Sequence, residues 1–205
     1  MSLFSEDLVR YENELANNVI PFWEKNCVDT KFGGYFTMLD RDGSVYDTDK
    51  YMWMQWRIVY LFAAFSRTRF AKDNYLDIAK NGFAFLTKYG KSSDGTYYFA
   101  LNREGLPATA PYNIYSECFA AMGAAALYQA TGECKYYEEA KSAMNSYIAR
   151  MDNPKGRWEK GMEGRAKRLS LGHFMMLANL AAVMKEMLNT DEYEEAAAKA
   201  VDTVL

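Results

Sequence analysis

Large side chains with polar ends crowd the start of one predicted helix. These side chains lie at the end of the stretch GGYFTMLDRDGSVYDTDKYMWMQWR, residues 33–57. They are Lys50, Trp53, Gln55 and Arg57. The guanidinium of Arg57 stays charged and presents a planar fork of donors that suits two neighbouring oxygens. Such side chains are poorly used in an apolar core, so their crowding predicts the rim of a ligand pocket.

The same stretch carries the signals of a β-hairpin followed by a helix. Asp42-Gly43 lies between two short aromatic and β-branched runs, which is a strong hairpin signal. Asp47, Thr48 and Asp49 are expected to cap the free N–H groups at the helix start. The helix itself is apolar nearly all round, which predicts burial on every side.

Apolar periodicity predicts six helices and the start of a seventh. Pro21 is expected to end or kink the first of them. Residues 90–111 form a second hairpin-like connection, and residues 152–168 form an irregular loop. The helices are predicted at about 5–18, 49–67, 73–89, 113–130, 135–151, 170–188 and from 191 onwards.

An internal repeat organises these helices. Similar segments begin around Tyr75, Tyr136 and Tyr193, and each opens an amphipathic helix after an apolar one. We therefore expect an all-α stack of nested helix hairpins, with the apolar helices inside. The long connections precede the apolar helices and can wall a pocket at one end, which favours a closed toroid over an open solenoid.

Composition excludes several classes of function. The net charge is −3 without a basic run, so neither nucleic acid nor an anionic membrane is an expected partner. No apolar run approaches the roughly 18 residues that span a bilayer, and the first residues lack the pattern of a signal peptide. Three cysteines without a CxxC pattern predict neither disulfides nor a metal site, and they fit a reducing cytoplasm.

The stretch 33–57, together with IYSECFAAMGAAALYQATGE from Ile114, resembles the N-terminal half of the N-acylglucosamine 2-epimerase family. This family also contains cellobiose 2-epimerases, aldose–ketose isomerases and renin-binding proteins. The resemblance covers essentially the whole chain. It implies an (α/α)6 barrel of twelve helices that binds a sugar at its centre without a cofactor. Residues 1–205, with six to seven helices, are then expected to be the N-terminal half of a longer barrel domain.

The resemblance also implies a reaction and roles for particular residues. The proton next to the carbonyl of the ring-opened sugar would be removed, through an enediolate, and returned on the other face. Arg57 matches the Arg that closes the WxQGR-like motif of the family, where it would stabilise the oxyanion. Trp56 stands where the family usually has Gly and would fill part of the cleft. The alternative for Arg57 is an ion pair with Asp40, Asp47 or Asp49.

Further site residues follow from the same resemblance. Tyr115 and Glu117 lie in the SECF motif, where the family contacts the sugar, although Glu117 could equally satisfy a helix cap or a neighbouring Arg. Trp53 would stack on a sugar face or, alternatively, pack in the core. His173, the single His of the chain, lies near the pocket His of isomerase and cellobiose-epimerase members and is the second predicted catalytic residue.

One His leaves the chemistry incomplete. Proton transfer on both faces of the substrate needs two groups, and the resemblance implies that the two acid/base His residues lie beyond Leu205. We therefore expect the sugar-binding half of a 2-epimerase of the N-acylglucosamine or N-acylmannosamine type, inactive alone and prone to homodimerise through exposed inner faces. An isomerase, a cellobiose 2-epimerase, a non-catalytic binding protein and a glycan-cleaving toroid are the alternatives.

Overall fold

The computed structural model describes residues 3–158, 160–166 and 169–205, and helices dominate it. A π turn, Leu15–Val19, joins the first two helices into one continuous rod, which makes seven rods in the described residues. The α-helices are α1 (Leu3–Glu14), α2 (Ile20–Asn26), α3 (Met52–Phe65), α4 (Tyr75–Tyr89), α5 (Tyr115–Thr131), α6 (Cys134–Ala149), α7 (Leu171–Leu188) and α8 (Glu194–Val204).

Helices α3 to α8 form three nested pairs, as predicted. Helix α5 packs against α3 on one side and α7 on the other, and each of the three packs against the amphipathic helix that follows it. Small residues allow this inner layer to pack closely: a Cβ on Gly123 of α5 would stand only 2.9 Å from the Trp56 carbonyl oxygen of α3. None of the described helices combines the length and the apolar composition needed to cross a membrane.

The repeated tyrosines occupy equivalent places in the three pairs. Tyr75 opens α4, Tyr136 lies in the first turn of α6, and Tyr193 immediately precedes α8. All three are buried. The repeat read from the sequence is therefore a repeat of packing as well.

Short strands organise the connections at one end of the helices. Strands β1 (Met38–Leu39) and β2 (Val45–Asp47) form the predicted hairpin around Asp42-Gly43. A second sheet has the order β3-β4-β5 and is antiparallel throughout. Its strands are β3 (Lys50–Tyr51), β4 (Ala100–Leu101) and β5 (Pro107–Thr109). This sheet joins the connection before α3 to the connection before α5.

Three details of the predicted helices are corrected. Helix α3 begins at Met52 rather than near residue 49, because Lys50 and Tyr51 pair with β4, and the Met52 N–H donates to the Phe99 carbonyl at 3.0 Å. Asp47 accepts a hydrogen bond from the Asp49 N–H within the connection and caps no helix. Pro21 does not end its helix. The π turn Leu15–Val19 comes just before it, and the chain continues through Pro21 as α2.

The prediction that four polar-tipped side chains form a pocket rim is wrong for two of them. Lys50 is fully buried, and its ammonium donates to an Asp29 carboxylate oxygen at 3.1 Å and to the Gly33 carbonyl at 2.6 Å. Gln55 is also fully buried and bonds both backbone groups of Tyr35. These two side chains hold the connection onto the start of α3 and leave the pocket to their neighbours.

Asp29 is the centre of this buried cluster. Its carboxylate accepts hydrogen bonds from Lys50 and from the Arg103 guanidinium, at 2.9 Å from Nε. Burial alone would raise the pKa of Asp29, but the bonds from Arg103 and Lys50 outweigh it and lower the pKa to about 2. Arg103 lies between β4 and β5, so the cluster secures the second connection to the first.

Candidate active site

A cavity of about 520 Å³ opens among the first turns of α3, α5 and α7. The connection before β4 closes another part of its wall. Aromatic and thioether side chains provide most of the lining, which is typical of small-molecule sites. The lining residues are Trp53, Arg57, Phe99, Asn113, Tyr115, Phe119, Gly172, Met175 and Met176.

Arg57 provides the positive charge of this wall. Its guanidinium lies 4.1 Å from the ring centroid of Phe119 and 5.0 Å from that of Trp53, one helical turn away on the same face of α3. The side chain is exposed and forms no ion pair with any described carboxylate. The alternative of a pair with Asp40, Asp47 or Asp49 is therefore not observed, and the donors of Arg57 remain available to a ligand.

The two tryptophans of α3 lie in different environments. Trp53 is half-buried and lines the cavity. Trp56 is fully buried between the rings of Phe83 and Tyr97, at centroid distances of 5.8 and 5.9 Å. The expectation that Trp56 fills part of the cleft is wrong, because the helix directs it into the packing against α4 and the connection before β4.

Tyr115 brings the start of α5 to the cavity. Its ring lies 5.3 Å from the ring of His173, tilted by 34°. Burial is the main reason that the pKa of Tyr115 is raised, so the phenol stays protonated at neutral pH. The hydroxyl has no hydrogen-bond partner among the described residues, and it is a donor that a ligand can use.

His173 lies beside the cavity but is not part of its lining. It is buried in the first turn of α7, and its carbonyl accepts a hydrogen bond from the Tyr147 hydroxyl at 2.8 Å. Burial lowers the pKa of the imidazole, and the charge of Lys155 lowers it further. The imidazole is therefore neutral at pH 7 and contacts the cavity through Tyr115.

Glu117 does not line the cavity. It is buried, and one carboxylate oxygen accepts a hydrogen bond from Arg150 at the end of α6. The other oxygen, Oε2, has no partner among the described residues. Burial raises the pKa of Glu117, although Arg150 opposes the rise. Of the three roles expected for Glu117, which are sugar contact, helix capping and pairing with a neighbouring Arg, the structure presents the pairing.

Several lining residues were not singled out from the sequence. Phe119 follows Tyr115 by one helical turn, so the period of α5 could have indicated it. Asn113 precedes that helix as a polar capping type. Phe99 offers no such signal, because it reaches the cavity only through the pairing of β4 with β3. Met175 and Met176 resemble ordinary core residues in the sequence.

The arrangement suits a ligand that presents acceptor oxygens. Arg57, Asn113 and Tyr115 supply donors, and no described lining residue is Asp or Glu. A positive donor group on an otherwise apolar wall can stabilise a developing oxyanion. Within the described residues, no cluster of His, Cys, Asp and Glu is suited to hold a metal ion.

Comparison with known proteins gives concordant matches. A family model described as N-acylglucosamine 2-epimerase (GlcNAc 2-epimerase) matches residues 34–205. The N-acylglucosamine 2-epimerase of Rattus norvegicus is 36% identical over 186 residues, which cover 87% of this chain and 44% of that protein. The cellobiose 2-epimerase of Ruminococcus albus is 29% identical over 122 residues, 58% of this chain and 31% of that protein. The chain thus spans less than half the length of these relatives.

Solved structures agree on the fold. The cellobiose 2-epimerase from Bacillus thermoamylovorans B4167 superposes with a TM-score of 0.78 at 20% identity. The superposition covers 96% of this chain and 55% of that one. This likeness confirms the predicted fold class, helix hairpins that make up about half of an (α/α)6 toroid.

Proposed function

This chain belongs to the N-acylglucosamine 2-epimerase family, and on that premise we propose that it is the sugar-binding half of a carbohydrate 2-epimerase. Residues 1–205 would form the N-terminal half of the barrel domain and supply one wall of the substrate site. The observation that carries the proposal is Arg57, an exposed guanidinium on the wall of a sugar-sized cavity that no described carboxylate neutralises.

Arg57 would act on the ring-opened sugar. Removal of the C2 proton leaves negative charge on the oxygen of the neighbouring carbonyl, and the guanidinium can donate two hydrogen bonds to that oxygen and its neighbour. The contacts with Phe119 and Trp53 hold the charge in place without occupying its donors as a carboxylate would. The resulting enolate, which is an enediolate when C2 carries a hydroxyl, is reprotonated on its other face, and this inverts C2.

Proton transfer requires groups beyond Arg57. His173 is neutral at pH 7 because burial lowers its pKa, but it reaches the cavity only through its contact with Tyr115 and would support that side chain. Inversion needs one acid/base group on each face of the substrate. We therefore expect no turnover from this chain alone and assign both groups to the remainder of the complete protein.

Trp53 and Tyr115 would bind the sugar. Trp53 offers an aromatic face to the apolar side of a pyranose or an open chain, and the Tyr115 hydroxyl donates to a sugar oxygen. We assign Glu117 no direct contact; its pair with Arg150 would fix the first turn of α5, which carries Tyr115. An aldose–ketose isomerase would use the same wall, whereas glycoside hydrolysis needs two carboxylates at the scissile bond, and no described lining residue is one.

The proposal is tested on the full-length protein in deuterium oxide. We expect exchange of the C2 proton of a hexose or 2-acetamido hexose, followed by NMR, together with formation of the C2 epimer. Arg57→Ala should abolish exchange without lowering the melting temperature, because the side chain is exposed. Absence of exchange with every sugar tested would reject the assignment, and an active Arg57→Ala protein would reject the role of Arg57.

We also propose that the chain self-associates. Large apolar side chains are exposed on α1 and at the start of α7, including Leu8 at 59% and Leu171 at 53%. Faces of this kind favour burial against another surface. Sedimentation of the 205-residue chain should reveal a dimer, and a monodisperse monomer would contradict this proposal.

A further inference from the structure

A row of four aromatic rings crosses the connections that precede the three inner helices. Tyr51 in β3 contacts Phe99, with ring centroids 5.6 Å apart, and Phe99 contacts Tyr112 at 5.5 Å. Tyr112 contacts Trp158 at 6.0 Å. All three contacts are edge-to-face, which is a favourable geometry for aromatic pairs. This aromatic row therefore links the connection before α3 to those before α5 and α7.

Phe99 brings the aromatic row to the cavity, because its ring is part of the lining. Its backbone is held by two hydrogen bonds: the Phe99 carbonyl accepts from the Met52 N–H at 3.0 Å, and the Phe99 N–H donates to the Thr109 carbonyl at 3.1 Å. These bonds fix the backbone but do not by themselves select the rotamer of the ring. The contacting rings of Tyr51 and Tyr112 restrict it, so they set the orientation in which Phe99 meets a ligand.

Trp158 anchors the outer end of the aromatic row. It ends a short 3₁₀ turn, Gly156–Trp158, in the connection before α7, and its indole N–H donates to the Pro111 carbonyl at 3.2 Å. One side chain therefore contacts both the ring of Tyr112 and the backbone of the residue before it. Because 43% of the Trp158 side chain is exposed, packing in the core does not explain its position.

We propose that Trp158 is a positioning residue: acting through Tyr112, it sets the orientation of the Phe99 ring on the cavity wall and thereby the affinity of the cavity for its ligand. Neither Trp158 nor Tyr112 is among the described residues that line the cavity. The connection before α7 thus contributes to ligand binding without touching the ligand. This inference goes beyond the proposed function, because it concerns how the wall is held.

The first measurement follows the Phe99 ring in the full-length protein without ligand. Phenylalanine labelled with ¹³C in the ring is observed by NMR, and the resonances lost in Phe99→Leu are those of Phe99. Trp158→Leu removes a ring that stands two contacts away from Phe99 along the row, and we expect it to shift the Phe99 resonances. In a Tyr112→Leu background the same substitution should shift them no further, because the intermediate ring is gone.

The second measurement is the kinetics of C2 proton exchange with N-acetylglucosamine and with glucose. We expect Tyr112→Leu and Trp158→Leu each to raise KM by about three- to tenfold and to leave kcat unchanged, because Phe99 contacts substrate and transition state alike. The double variant should have the KM of the weaker single variant. Tyr112→Phe keeps the ring and should restore the KM of the unsubstituted protein.

Tyr128→Leu is the matched control. Tyr128, near the end of α5, is also half-buried and packs edge-to-face on Tyr137, with ring centroids 5.2 Å apart. It belongs neither to the aromatic row nor to the described lining of the cavity. This variant should leave both the Phe99 resonances and KM unchanged.

The inference is overturned if the Phe99 resonances do not respond to Trp158→Leu, or if the Trp158 and Tyr112 substitutions have additive effects on them. A shifted Phe99 ring with an unchanged KM also overturns it, as does a Tyr112→Phe variant as impaired as Tyr112→Leu. If the Phe99 ring responds as expected but neither sugar exchanges its C2 proton, the positioning stands and the epimerase assignment fails. If C2 exchange is present and the ring does not respond, the reverse holds.

Discussion

The guanidinium of Arg57 lies 4.1 Å from the centre of the Phe119 ring. The two side chains come from neighbouring inner helices, α3 and α5, and both line the cavity. Phe119 itself is buried. The aromatic face of Phe119 thus holds the charge of Arg57 through a cation–π contact while the N–H donors stay available.

The first prediction concerns this contact. Phe119→Leu keeps an apolar side chain but removes the aromatic face, so we expect C2 proton exchange by the full-length protein to fall by roughly tenfold. Phe119→Tyr retains the ring and is the matched control. Equal exchange rates in the two variants would mean that the aromatic face does not position Arg57.

The second prediction compares the two tryptophans of α3. Trp56→Ala empties a fully buried site and should lower the free energy of unfolding by about 3–5 kcal/mol. Trp53→Ala affects a half-buried side chain on the cavity wall, so it should cost less stability but weaken sugar binding. Urea denaturation and calorimetric titration measure the two effects. If Trp56 rather than Trp53 reached the ligand, Trp56→Ala would weaken sugar binding and Trp53→Ala would carry the larger loss of stability.

The third prediction concerns the buried cluster around Asp29. Asp29→Asn leaves the Lys50 ammonium buried without its carboxylate, so we expect a loss of about 3–5 kcal/mol in the free energy of unfolding. Asp40→Asn, on the exposed β1–β2 turn, is the control and should be nearly neutral.

The same cluster sets an acid limit on stability. The pKa of Asp29 is lowered to about 2 in the folded state, from about 3.9 in an unfolded chain. Its stabilisation is therefore fully present above pH 4 and is lost as the pH falls towards 2. Urea denaturation between pH 2 and pH 5 should show this component, and the Asp29→Asn variant should lack it.

The fourth prediction uses the single imidazole of the chain. The pKa of His173 is lowered by burial and by Lys155, so its NMR resonance should titrate below the ordinary value of about 6.5. Because the folded state prefers the neutral form, this group lowers stability as the pH falls through that range. Lys155→Met should raise the pKa, whereas Lys185→Met, at the α7–α8 junction, should not. A titration at or above 6.5 would contradict the burial of this side chain.

Local pattern predicted a large part of the architecture. The helix pairs and the Asp42-Gly43 hairpin follow from periodicity and turn chemistry within a few residues. Arg57, Trp53 and Tyr115 reach the cavity because helix geometry carries one face of α3 and α5 there. These predictions depend only on short-range rules.

The placements that the sequence did not predict depend on contacts with residues that are distant in the chain. Lys50 is buried because Asp29 and the Arg103 carbonyl, 53 residues away, satisfy its ammonium. Phe99 reaches the site because a two-residue strand pairs with β3, and so short a strand leaves no pattern to read. Likewise, no local rule tells Trp53 from Trp56, because only the neighbouring helices decide which ring packs in the core.

The sheet β3-β4-β5 constrains how such a wall can be redesigned. Exchanging the hairpin of residues 90–111 with that of a related sugar enzyme would replace two of the three strands at once. Strand β3, which leads directly into α3, would then have to pair with strands of a different register. Its shift would also move Trp53 and Arg57. A productive chimera therefore has to transplant both connections together, as one cassette.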